Sequence, residues 1–228
     1  MKYLFAILIA VGLVVPTSLS AQISASEQLG MAIEYFQSQK YHEALLLFQR
    51  LDKQYQLNPR YRAYIGVCYY YEYEYQLACK YLDENIPLLD GFAPHERSIY
   101  YMLNAESHFN LNQYNVAIPY YEQTLGVCYA REKGDVLFKL GSCYMLLDSL
   151  PKALDCFEQS LDNYKQNAGP NREQRMAQLE TMIKGIKRQL PAPPDIELPD
   201  TAALQIPDSL LQIPVDTTEQ SEIIYFDQ

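Results

Sequence analysis

The 228-residue chain has no tryptophan, only three histidines and only nine glycines. The histidines (His42, His95, His108) stand far apart and form no HExxH pair, and no CxxC or Cys/His ligand spacing occurs, which excludes the common zinc sites. There is no GxSxG nucleophile elbow and no phosphate-binding GxxxxGK, and carboxylate pairs occur only on polar helix faces. Neither a catalytic site, a metal nor a cofactor is expected. Basic residues are also scarce: 18 Lys and Arg stand against 28 Asp and Glu, for a net charge of -10. A nucleic-acid partner requires a basic surface to displace phosphate counterions, so that class is excluded. The one extended apolar run, Tyr3 to Val15, is 13 residues long, short of the roughly 20 needed to span a bilayer.

That run follows Lys2, is broken by Pro16, and precedes the small residues Thr17-Ser18-Leu19-Ser20-Ala21. Charge, apolar stretch and small-residue site in this order predict a cleavable signal peptide over residues 1–21. Cleavage before Gln22 suits an exported protein of the periplasm or outer envelope of a Gram-negative bacterium. The mature chain is then expected to make no stable membrane insertion. At the other end, residues 191–228 carry eight acids, no Lys or Arg, and six prolines, the composition of a disordered acidic tail. Leu204-Gln205-Ile206-Pro207 recurs as Leu211-Gln212-Ile213-Pro214, so the tail reads either as a linear binding segment or as a plain linker.

What lies between is a repeat. Ala32, Tyr35, Tyr41 and Ala44 return 34 residues later as Gly66, Tyr69, Tyr75 and Ala78. They return after a further 39 as Ala105, His108, Tyr114 and Ala117, and after another 36 as Gly141, Tyr144, Leu150 and Ala153. A period of this length marks stacked helical hairpins, each too small to bury its own apolar face. Small residues let the paired axes approach; Phe48, Leu82, Tyr121 and Phe157, one turn on, fill the space where they diverge. The pairing expected from this spacing sets each first-helix small residue against the alanine of the second helix. His108 takes a framework position and is expected to be a satisfied core residue.

On these residues the chain resembles the tetratricopeptide repeat family. The resemblance implies an all-α, right-handed solenoid. Four repeats within residues 22–165 are expected at about 25–58, 59–92, 98–131 and 134–167, with a capping helix over 171–190. The family pattern is departed from at Leu51, Asn85, Thr124 and Ser160, where small residues are usual late in the second helix. Pro87 to Pro94 form an inserted loop whose Leu88, Leu89 and Phe92 either cover the solenoid edge, the favoured reading, or form a contact site.

The resemblance also implies that the first helices line a concave groove. Its contact positions fall on Leu29, Ile33 and Phe36, on Arg60, Ala63, Val67, Tyr70 and Tyr71, on Met102, Glu106 and Phe109, and on Phe138 and Met145. Tyr73 joins Tyr70 and Tyr71 at the rim. Such an apolar, aromatic concavity favours a protein or peptide partner, and the chain is expected to be a non-catalytic scaffold of the cell envelope. The other reading has the groove filled by the chain's own tail or by an apolar small ligand. Five cysteines leave at least one unpaired: Cys68–Cys79 and Cys143–Cys156 are possible bridges across hairpins, and buried free thiols are the favoured reading.

Overall fold

The computed structural model describes residues 24–167 and 172–191. The expected signal (1–21), nearly all of the expected tail (192–228) and the junction before the last helix lie outside the described residues. Helices α1 (Ala25–Gln37) and α2 (Tyr41–Tyr55), α3 (Pro59–Tyr71) and α4 (Tyr75–Asn85), α5 (Pro94–Asn110) and α6 (Tyr114–Val127), and α7 (Lys133–Leu146) and α8 (Leu150–Gln166) pack as successive hairpins. Each hairpin packs on the next through α2–α3, α4–α5 and α6–α7, and α9 (Arg172–Lys187) packs on α8. No strand occurs among the described residues.

Local chemistry starts and stops these helices. Ser24 Oγ accepts from Glu27 N while Glu27 Oε2 accepts from Ser24 N, a reciprocal cap that begins α1. Asn58 caps α3 ahead of Pro59, and Pro94 opens α5, where a missing N–H costs nothing. All four first helices end alike. Gln39, Tyr73, Asn112 and Asp148 take left-handed backbone with φ of 59°, 63°, 59° and 56°. The next amides (Lys40, Glu74, Gln113, Ser149) then donate to the carbonyls of Tyr35, Tyr69, His108 and Tyr144 at 2.8–2.9 Å. This is the Schellman closure of a helix C-terminus, and it explains why the framework position recurs: its carbonyl closes every turn.

The small-residue pairing differs in detail from expectation. A Cβ on Gly66 would lie 2.7 Å from Leu82 Cγ, and one on Gly141 would lie 2.7 Å from the Phe157 ring. The glycines therefore receive the bulky side chain of the second helix rather than its alanine. Phe48, Leu82, Tyr121 and Phe157 are completely buried, as are Ala44, Ala78, Ala117 and Ala153. Burial of each bulky side chain contributes roughly 1.5–3 kcal/mol. The positions that depart from the family pattern are also core. Asn85 and Thr124 side chains donate to the carbonyls of Tyr81 and Tyr120, and Ser160 Oγ donates to Gly134 O across the hairpin. The Asn85 amide, the Thr124 hydroxyl and the Ser160 hydroxyl thus each donate a bond that offsets part of their lost hydration, while Asn85 Oδ1 stays buried without a partner.

In the inserted segment, a 3-10 turn (Ile86–Leu88) brings Ile86 and Leu89 into the core with Phe92 packed beside them, while Leu88 stays exposed. All five cysteines are free thiols. Burial pushes Cys68 and Cys143 up to about 12 and Cys156 to about 11, so these remain protonated and inert. His108 is buried, with Nε2 3.2 Å from Asp83 Oδ1 and Nδ1 2.7 Å from Gln113 Oε1.

Candidate functional site

The first helices lie side by side on one face, and α3 touches α5 directly. On α1, Leu29, Ile33 and Phe36 are half-buried against a cluster that includes Ala32, Phe48 and Ile65. Phe36 stacks on Tyr64 of α3 at 4.2 Å between centroids. Met102 and Phe109 of α5, and Phe138 and Met145 of α7, are likewise half-buried, each leaning on the core below while keeping part of its surface in water. Tyr70 is half-buried beside the Ala63 cluster.

Three of the expected contact residues are placed elsewhere. Ala63 and Val67 are 0% and 3% exposed, inside the cluster with Leu82, Ile86, Leu89 and Tyr100 that joins the second hairpin to the third. They are core because the long inserted segment folds back over that side of α3. Glu106 is buried too, its carboxylate consumed internally by Tyr121 and Lys139. Tyr71 remains exposed and stacks on Tyr41, which in turn meets Phe36 edge-on.

The charges on this face follow one scheme. Glu96 accepts from Tyr100 Oη at 3.0 Å and from Arg60 of the preceding first helix at 2.8 and 3.2 Å. Glu106 accepts from Tyr121 Oη at 2.5 Å and from Lys139 of the following first helix at 2.6 Å. Asp135 accepts from Tyr164 Oη and has Arg175 of α9 at 4.0 Å. Each cation also lies over an aromatic ring: Arg60 over Phe92 at 5.1 Å, Lys139 over Phe109 at 5.3 Å, Arg175 over Phe138 at 4.0 Å. Carboxylate, phenol and cation thus staple the second hairpin to the third, the third to the fourth, and the fourth to α9. Burial and the adjoining Glu106 raise the Tyr121 phenol far above its ordinary value, so it stays a donor.

Between α5 and α7 the face opens into a cleft of about 260 Å³, walled by Ile99, Met102, Leu103, Val136, Thr124 and Cys128. His95, Glu132 and Asp135 stand around it, with the His95 ring stacked on Tyr129 at 3.9 Å. Met102 and Asp135, both at groove positions that the repeat register gives, reach this cleft. Ile99, 46% exposed, directly follows Ser98, where the repeat register starts the third unit; it stands at that unit's second position and was left out of the expected contact set. The extra turn that Pro94 adds at the start of α5 brings His95 to the same cleft. Cys128 and Glu132 enter from the connection between α6 and α7, outside any helical periodicity.

A tetratricopeptide repeat family model matches residues 102–168, the third and fourth hairpins. Over those residues the chain is a tetratricopeptide repeat. Its repeats superpose on solved MamA structures: MamA of MSR-1 with TM-score 0.56 at 15% identity, covering 75% of this chain and 92% of that one. MamA of AMB-1 gives TM-score 0.54 at 16% identity, covering 64% and 83%. MamA from Desulfovibrio magneticus RS-1, from residue 41 to its end, gives 0.51 at 16% identity, covering 72% and 96%. At these identities the likeness is one of fold. No curated protein sequence matches the chain. The tetratricopeptide repeats outside 102–168 rest on the recurrent turns and on the glycine and alanine positions described above.

Proposed function

We propose that this tetratricopeptide repeat protein is a non-catalytic scaffold of the cell envelope, whose first-helix face holds a segment of another protein. The observation that carries this reading is the cleft between α5 and α7, where Ile99 and Met102 keep apolar surface in water beside buried Leu103 and Val136. Exposed apolar surface gathered into a concavity is a recognition site in a soluble domain. A volume of about 260 Å³ suits one large apolar side chain of a partner and lies below the range of small-molecule sites, roughly 300–1,000 Å³. Half-buried Phe109 and Phe138 extend the same face toward either side. Of the acids at this cleft, Asp135 has Arg175 at 4.0 Å and Glu132 has His95 at 3.7 Å, while the walls between them are apolar, so binding rests on shape and apolar contact. The envelope assignment rests on residues 1–21, which read as an export signal.

Ile99→Asp places a charge in the cleft without entering the core. Photo-crosslinking from position 102 in the full-length protein, in its own cells, is expected to trap a partner that Ile99→Asp loses while helical content is unchanged. Equal capture by the variant would refute the assignment. Fractionation of the same cells tests location: a protein that retains residues 1–21 and stays in the cytoplasm contradicts export.

A further inference from the structure

The four hairpin turns share one backbone geometry, yet their left-handed residues differ. Three are Gln39, Asn112 and Asp148; the fourth is Tyr73. Left-handed backbone crowds Cβ, and polar side chains that bond locally tolerate it best. Tyr73 has a bulky ring there, 78% exposed, touching only the edge of Tyr75 at 6.4 Å. The fold gains little from it.

Tyr73 is the outermost ring of a continuous ledge. Tyr41 and Tyr71 stack face to face across the first and second hairpins at 4.0 Å and 4°. Tyr70 meets Tyr71 and Tyr75 edge-on at 5.2 and 5.9 Å, and Tyr75 meets Tyr73. Carboxylates alternate with these rings: Glu72 and Glu74 separate Tyr71, Tyr73 and Tyr75, and Glu43 lies in the first turn of α2. The basic side chains at these two turns are Lys40, which lies over the Tyr35 ring, and His42, whose Nδ1 is 2.9 Å from Glu72 Oε2. Glu74 makes no ion pair among the described residues. The surface is therefore a set of wet aromatic faces within a field of excess negative charge.

We propose that this ledge docks an arginine-bearing, extended segment of a partner protein. A guanidinium lies flat on a tyrosine face through the ring quadrupole and presents its N–H fork to a neighbouring carboxylate; alternating rings and acids offer both at once. An acidic segment would meet like charge from Glu43, Glu72 and Glu74. The surface sits at the turn edge, so it stands independently of the cleft between α5 and α7.

The test uses the full chain and a fluorescein-labelled octapeptide of alternating Arg and Pro, followed by anisotropy, with a Glu-Pro octapeptide as its charge-reversed twin. Tyr73→Asn is the central variant, because Asn suits the left-handed turn and the protein stays folded. The Arg-Pro peptide is expected to bind saturably and the Glu-Pro peptide not at all. Tyr73→Asn and Glu74→Gln should each weaken binding about two- to fivefold, as loss of one exposed cation–π or ionic contact implies. Combined, they should weaken it roughly tenfold, while Ile99→Asp leaves it unchanged. Binding that does not saturate, that survives the double variant, or that the Glu-Pro peptide matches would overturn the proposal.

Discussion

Glu106 on α5 and Lys139 on α7 meet at 2.6 Å across the join between the third and fourth hairpins, with the lysine ammonium over the Phe109 ring at 5.3 Å. The carboxylate is buried and also accepts a hydrogen bond from the Tyr121 hydroxyl, so its charge is met on two sides. The pair acts as an inter-repeat clamp.

Removing the lysine alone leaves a buried carboxylate with half its partners. Lys139→Met is expected to destabilise by about 2 kcal/mol, while Glu106→Gln/Lys139→Met recovers much of the loss because neither charge remains to be desolvated. A double-mutant cycle from urea unfolding measures the coupling. Additive single effects would show that the two groups do not interact in solution.

His108 gives the fold a pH dependence on the alkaline side. Burial opposes its charged form, but bonds to Asp83, Cys79 and Gln113 outweigh that and push it up to about 10 from an ordinary 6.5. A group whose folded value is raised contributes stability that is fully present below 6.5. That contribution falls as pH rises and is lost by about 10. Thermal melts across this window should show the decline in the native protein, and His108→Gln should flatten it. An unchanged slope in the variant would assign the decline to other groups.

Two glycine-to-alanine changes should act in opposite directions. Gly30 has nothing within 4 Å of its missing Cβ, so Gly30→Ala should stabilise α1 by up to about 1 kcal/mol through helix propensity alone. Gly141→Ala drives a methyl to 2.7 Å from the buried Phe157 ring and should destabilise by roughly 1–3 kcal/mol. Paired denaturation curves decide it.

Thiol labelling checks the cysteine assignment. Cys68, Cys79, Cys143 and Cys156 are buried, and Cys128 is half-exposed in the cleft. A small disulfide reagent should add rapidly to one site per chain, at Cys128, and to all five after unfolding. Fewer than five thiols in denaturant without reductant would reveal a bridge.

The repeat was legible because close helix packing leaves few alternatives at its narrowest points. Ala44, Ala78, Ala117 and Ala153 must be small wherever the axes approach, and that constraint prints itself at a fixed period. The binding face was read less well. Ala63 and Val67 carry the right register for the surface, yet the segment after α4 folds over them, and no periodicity on α3 encodes what a distant loop covers. Ile99 failed in the other direction: it stands at the second position of the third unit and walls the cleft, while the extra turn of α5 from Pro94 adds His95 beside it.

The sequence by itself determined the class of fold, the four turns and the residues that fill the hairpin cores, since each follows from local backbone geometry or from volume at a repeated contact. Only the tertiary structure decided which first-helix residues keep water on one side. It alone paired Arg60 with Glu96 and Lys139 with Glu106, and drew Tyr41 and Tyr71 into one stack. Those partners lie 30 or more residues apart, and exposure, charge neutralisation and ring contact depend on the stacking of whole repeats rather than on any stretch of chain.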